Sequence, residues 1–188
     1  RQGLDAFYRT GVNRLNIGLQ STDDYTLSFL GRVHTADAGI ATYGHARDAG
    51  FDNVGLDLIY AVPGQTRKTW EAEMAKVVAL APDHLSCYTL TIESGTPLAR
   101  RVEEGRVRPL DERIAGDLFS ATADFFETHG YRQYEISNYA RVCEDGLLDL
   151  RSRHNRNYWN FIDYLGFGPA AHSLSGQTRR WNCLALDD

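Results

Sequence analysis

Three short stretches of this chain alternate apolar and polar residues with a period of two, and helical patterns separate them. In VNRLNIGLQ (12–20), Leu15, Ile17 and Leu19 alternate with Asn16, Gly18 and Gln20. In NVGLDLIY (53–60), Val54, Leu56 and Leu58 alternate with Gly55 and Asp57. HLSCYTLT (84–91) is rich in β-branched and aromatic residues. Each reads as a β-strand. Strand, helix, strand with few hairpin signals requires parallel pairing through right-handed crossovers, an α/β fold. The helices can cover only the apolar set. The other set is polar or small, whereas the inner face of a closed eight-stranded barrel is filled with branched aliphatic side chains. An open, incomplete barrel whose hollow holds a polar ligand accounts for both faces.

The intervening patterns define three helices. TADAGIATYGHARDAG (35–50) opens on a threonine cap and stops at Gly50. TRKTWEAEMAKVVALAP (66–82) sets Trp70, Met74, Val77, Val78 and Ala81 on one core-facing stripe and ends at Pro82. A third, LDERIAGDLFSATADFFETHG (110–130), is expected to bury Ile114, Leu118, Phe125 and Phe126. Parallel βα structures bind ligands at the carboxyl ends of their strands. Gln20, Asp57 with Tyr60, and Thr89 with Thr91 are therefore the candidate contacts. A carboxylate and an amide there suit hydroxyls, amines or an adenine edge, although either could serve only as a cap.

Composition narrows the function. The chain has 188 residues, 43% hydrophobic and 24% charged, enough for a globular domain with a sizeable core. Its net charge of −5 arises from 20 basic and 25 acidic residues without a basic block, which argues against a nucleic-acid partner. No apolar run is long enough to span a bilayer, and the first residues lack the apolar stretch of a secretory signal. Cys87, Cys143 and Cys183 are too widely spaced for a disulfide framework or a metal knuckle. They read as reduced thiols, and the expected location is cytoplasmic.

Seven motifs in order resemble one family. GVNRLNIGLQS (11–21), LGRVHT (30–35), GFDNVGLDLIYAVPGQT (50–66) and PDHLSCYTLTIESGTPL (82–98) are similar to radical S-adenosylmethionine proteins related to oxygen-independent coproporphyrinogen III oxidase. GYRQYEISNYA (130–140), HNRNYW (154–159) and YLGFGPAAHS (164–173) resemble one branch, the heme chaperones called HemW. The resemblance implies a partial (β/α)6 barrel, incomplete at its N-terminal strands, over residues 1–110, followed by an α+β extension over 111–188. By motif, Gln20, Arg32 and Asp57 would contact S-adenosylmethionine. Arg32 offers several donors to a carboxylate or hydroxyl, although without the motif a surface salt bridge is the simpler role.

The same resemblance implies a [4Fe–4S] cluster held by a CxxxCxxC motif, and this chain has no such spacing. The motif is expected upstream of Arg1, in which case this chain is a fragment that should not run radical chemistry alone. Two smaller departures concern glycine. The family usually has it where this chain has Ala61, and commonly at Ala170 or Ala171. The connection 141–153 is also longer than expected.

HNRNYW separates the heme-chaperone branch from the oxidases. An axial imidazole and flat aromatic cover are what a heme needs. His154 is the candidate ligand, Asn155 its orienting partner, and Tyr158 and Trp159 the walls, with His172 a secondary candidate. The plain alternative is a capped helix start beside core aromatics. On this resemblance the chain belongs to a heme-binding protein that passes heme to recipient hemoproteins. It could dock peripherally on a membrane, although no amphipathic anchor is visible. The alternative is an enzyme, the oxidase that decarboxylates coproporphyrinogen III in porphyrin biosynthesis. An unrelated phosphate-sugar enzyme is disfavoured, because no GxGxxG or P-loop is present.

Overall fold

A computed structural model describes residues 2–143 and 149–185. The chain forms two compact units, residues 1–150 and 151–188.

The first unit runs α1 (Gln2–Arg9), β1 (Leu15–Gln20), α2 (Asp24–Phe29), α3 (Ala36–Asp48), β2 (Val54–Tyr60), α4 (Arg67–Ala79), β3 (His84–Thr89), α5 (Pro97–Glu103), α6 (Glu112–Thr128), β4 (Tyr131–Gln133) and β5 (Asn138–Arg141). The five strands make one mixed sheet in the order β1-β2-β3-β5-β4. The first three are parallel, as the crossover argument requires, and β5 and β4 add on antiparallel. Thus α6 and the β4–β5 pair, grouped from sequence with the extension, lie in the same compact unit as the parallel strands. The reason is hydrogen bonding: β5 satisfies the free edge of β3, and α6 packs on α4 through a Trp70 Nε1–H bond of 2.7 Å to Thr122 Oγ1.

Local chemistry sets the helix starts. Thr35 Oγ1 accepts from Ala38 N, and Thr66 forms a reciprocal capping box with Thr69. The α4 stripe buries Trp70, Met74 and Val77 completely. Ala81 lies outside it, exposed at φ 53°, because the helix stops at Ala79 ahead of Pro82. On α6 the buried stripe is Leu118, Ala121, Thr122 and Phe126. Ile114, expected inside, is 39% exposed, since it precedes the turn at which α6 meets Trp70.

The helix-side core joins Leu19, Val54, Leu56, Leu58, Leu85 and Tyr139 to Trp70, Met74 and Phe126. Tyr60 is part of it, stacked on Trp70 at 5.3 Å. One charged group is buried at the amino end of the parallel strands. Asp83, 1% exposed, accepts from Val54 N at 2.9 Å and pairs with Arg47 at 2.7 Å and with Arg141. It ties β2, β5 and the last turn of α3 together.

The second unit contains α7 (Arg153–Trp159) and an antiparallel ribbon of β6 (His172–Ser175) and β7 (Thr178–Trp181). Ser152 caps α7 through Asn155 N. In the YLGFGPAAHS motif, a Cβ at Gly166 would lie 2.1 Å from His172 O, so only glycine admits this approach of two backbones. Of the long connection 141–153, residues 144–148 lie outside the described residues.

Candidate functional site

Period-two alternation sends the polar set of the parallel strands to the face opposite the helix-side core. The register pairs Asn16 with Gly55, Gly55 with His84, Asp57 with Ser86 and Ser86 with Asn138. This makes a continuous polar floor across four strands. Asn16 Nδ2 donates to Asp57 Oδ1 at 3.4 Å, and Asp57 also bonds Ser86. Burial pushes the Asp57 carboxyl above its ordinary pKa, against the opposing pull of the Ser86 and Asn16 bonds and of Arg14. Ile59 and Tyr88, two residues beyond Asp57 and Ser86, carry the same face to the carboxyl ends of β2 and β3.

Gln20 reaches this floor by an irregular route. One extra residue of β1 between Ile17 and Gln20 breaks the register with β2. Gln20 then takes φ 67°, with Ser21 N donating to Leu19 O at 2.9 Å in a γ-turn. The turn lays the Gln20 amide over Gly18, where an added Cβ would come within 2.6 Å of Nε2. Gly18 is therefore part of the site, since its missing side chain is the space the amide occupies.

Arg32 is exposed and lines a cavity of about 410 Å³ with Ile59, Tyr88, Thr89 and Thr91. The sequence grouping of Asp57 with Tyr60 does not survive. Asp57 lies at the middle of β2 on the polar face, and Tyr60, an odd number of residues away, is core on the other. Thr89 Oγ1 donates to Tyr60 OH at 2.7 Å, which turns it toward that opposite face.

Sequence reasoning missed the residues of β3 and β5. His84 is fully buried, its Nε2 is 2.7 Å from Tyr134 OH, and its Nδ1 has no partner. Burial and the nearby Arg14 lower its pKa to about 3, so it is neutral. Beyond it, Glu135 accepts from Asn138 Nδ2 and from Ser137 N. Period-two counting from Asp57 through the parallel register would have found His84, Ser86 and Tyr88.

In the second unit, His154 and Tyr158 share one face of α7, their rings edge-to-face at 4.8 Å and 89°. Tyr158 meets Tyr164 the same way at 4.6 Å. Asn155 contributes its backbone N–H to the Ser152 cap, and Trp159, half-exposed, ends the helix. Tyr158, Tyr164, Phe167 and His172 line a cavity of about 710 Å³. His154 is not among its lining residues, whereas the secondary candidate His172 is.

The polar floor fits a nucleoside-like ligand. The amide of Gln20, the half-buried carboxylate of Asp57 and the hydroxyls beside it supply both donors and acceptors. The described residues do not fit a metal cluster, since no group of three His, Cys, Asp or Glu is placed to hold one. Cys87 is buried on the helix side.

Residues 1–77 match the model of the Radical SAM superfamily. The fold is that of coproporphyrinogen III oxidase (HemN) from Escherichia coli, at a TM-score of 0.75 with 23% identity, over 99% of this chain and 44% of that one. The chain belongs to the radical S-adenosylmethionine superfamily.

Its relatives narrow this further. It is 36% identical over 179 residues to the heme chaperone HemW of Bacillus subtilis (strain 168), covering 95% of this chain and 46% of that protein. It is 41% identical over 169 residues to the mitochondrial Radical S-adenosyl methionine domain-containing protein 1 of Mus musculus, covering 90% of this chain and 37% of that protein. The chain spans less than half the length of these curated relatives. Superfamily membership implies S-adenosylmethionine and a [4Fe–4S] cluster. Among the described residues no helix is long and apolar enough to cross a membrane.

Proposed function

We propose that this chain is the part of a radical-SAM-fold heme chaperone that holds the nucleoside end of S-adenosylmethionine and presents a heme ligand. Gln20 and Asp57 would take the hydroxyl and amino groups of the nucleoside, and Arg32, at the strand ends, an acidic group. The cluster would come from residues outside this chain. His154 would ligate heme iron, with Tyr158 and Trp159 as aromatic cover and Asn155 beside them. Recipient hemoproteins would be the partners. The three free thiols suit a reducing setting, and we place the protein in the cytoplasm, although the mouse relative is named as mitochondrial.

The observation that carries the heme reading is the exposed His154 imidazole, held edge-on to Tyr158 on a capped helix. That geometry suits a donor that must take up a flat ligand and release it. Hemin titrated into the protein should give a red-shifted Soret band, and His154→Ala should remove most of the shift while leaving the far-ultraviolet circular dichroism unchanged. An identical Soret band in a folded His154→Ala variant would remove His154 from the proposal. The likeness to HemN, at 23% identity, carries the fold alone and adds nothing to the oxidase alternative.

A further inference from the structure

A third cavity, of about 530 Å³, opens between α2 and α4, next to the carboxyl ends of β1 and β2. Four polar residues in its wall are more than nine-tenths buried: Thr22 at 8% exposure, Thr26 at 9%, Gln65 at 8% and Glu73 at 7%. The Thr22 hydroxyl has no hydrogen-bond partner, and such a group normally costs about 1–3 kcal/mol when buried. Glu73 receives Ser21 Oγ–H and Thr22 N–H on the same oxygen, Oε1, which leaves Oε2 uncommitted. Gln65 uses its Oε1 to accept from Ala61 N at 2.6 Å, leaving its Nε2 donor uncommitted.

The charges are arranged in opposition. Glu73 is a buried carboxylate whose two donors are neutral, and burial raises its pKa above the ordinary value. Lys76, one helical turn along α4, is exposed and lines the cavity together with Asp23, and among the described residues it makes no salt bridge. Between and beyond them, Tyr25, Phe29, Val62 and Pro63 form an apolar wall. A ligand that satisfies all of these groups carries a cation, an anion and an apolar body close together.

We propose that this cavity binds a free α-amino acid with an apolar side chain. Its ammonium meets Glu73 Oε2 and the orphaned Thr22 hydroxyl, its carboxylate meets Lys76, and its side chain lies on Phe29 and Val62. The ammonium adds a charged partner in direct reach of Glu73, whose hydrogen-bond donors are both neutral. The volume is within the range of small-molecule sites. The proposal uses none of Gln20, Arg32, Asp57 and His154, and stands whether or not the readings of those residues hold.

The test uses leucine as probe on the purified protein, read by saturation transfer to the leucine methyl protons. Wild type should give clear transfer that glycine does not compete away and isoleucine does. Lys76→Met keeps the alkyl stem and should reduce the signal at least fivefold, as should Glu73→Gln, whose amide oxygen can still accept from Ser21 and Thr22. Thr22→Val should weaken it less. Two single-charge analogues separate the halves of the ligand: isoamylamine and isovalerate should each fail to match leucine. No transfer from leucine overturns the proposal. So does equal transfer from either analogue, or an undiminished signal in Lys76→Met, which is at the surface and should fold normally.

Discussion

Gly18→Ala tests how the proposed nucleoside site is built. A Cβ at this position would lie 2.6 Å from Gln20 Nε2 and 3.7 Å from its Cδ, with no backbone atom in the way. The obstructing group is the end of a flexible side chain, so the strand itself should tolerate the methyl. Rotating the amide aside costs about 0.5–1 kcal/mol at most. The thermal midpoint should therefore hardly move. Ligand binding should suffer, because the Gln20 amide no longer lies on the floor. Losing one or two hydrogen bonds of about 1 kcal/mol each predicts S-adenosylmethionine affinity roughly 5- to 30-fold weaker. Calorimetric titration of wild type, Gly18→Ala, Gln20→Ala and the double variant would measure it. If glycine acts only by making room for the amide, the double variant should bind no worse than Gln20→Ala alone. Full affinity in Gly18→Ala, or strictly additive losses in the double variant, would refute this account of Gly18.

Other consequences concern stability. Asp83→Ala leaves Val54 N without its acceptor and Arg47 and Arg141 without their carboxylate, and should cost about 3–5 kcal/mol in denaturant unfolding. Ala170 is exposed at φ 57°, so Ala170→Gly should stabilise its unit by about 0.5–1 kcal/mol. At Ala61, φ 60° but buried, the lost methyl contact of about 0.8 kcal/mol should offset most of that gain. His84 binds its proton only near pH 3 when folded, against 6.5 as its ordinary value. Below pH 6.5 the unfolded chain takes up the proton first, so the stability this group contributes is present above 6.5 and falls with the pH. The slope should approach about 1.4 kcal/mol per pH unit, and His84→Gln should flatten the profile between pH 5 and 6.5. The carboxyls of Asp57 and Glu73, raised by burial, act in the opposite sense.

The parts of this fold that could be read from the sequence are those fixed by periodicity. Leu15, Ile17 and Leu19 against Asn16 and Gly18 gave the two faces of β1, and parallel pairing followed from the crossovers. The wet face inferred from Asp57 and Gly55 is the face that faces away from the helix-side core. What was hidden depends on exceptions to periodicity. Counting by twos sends Gln20 to the floor correctly but for the wrong reason, because a bulge and a γ-turn bring it there. Counting was not applied to His84, Ser86 and Tyr88, since HLSCYT looks like an ordinary strand until the register places it beside Asp57. β4 and β5 were missed as sheet members because three- and four-residue strands carry too few alternations to show a period.

The glycine-to-alanine departures lead to a sharper conclusion. Glycine is the family's usual residue at Ala61 and at one of Ala170 and Ala171, and of these Ala61 and Ala170 adopt positive φ, at 60° and 57°. The backbone geometry is therefore retained without the residue that makes it easy. A chain free to relax would rotate φ to negative values and gain about 1–2 kcal/mol at each position. At Ala61 the restraint is visible: its N–H is held by Gln65 Oε1 at 2.6 Å, and the same turn starts the loop that walls the cavity beside α4. Gln65→Ala should release that restraint, and in it Ala61→Gly should no longer be nearly neutral. Unfolding measurements on the two single variants and the double variant would give a coupling of at least about 0.5 kcal/mol if the hydrogen bond holds the turn, and none if the turn is set elsewhere.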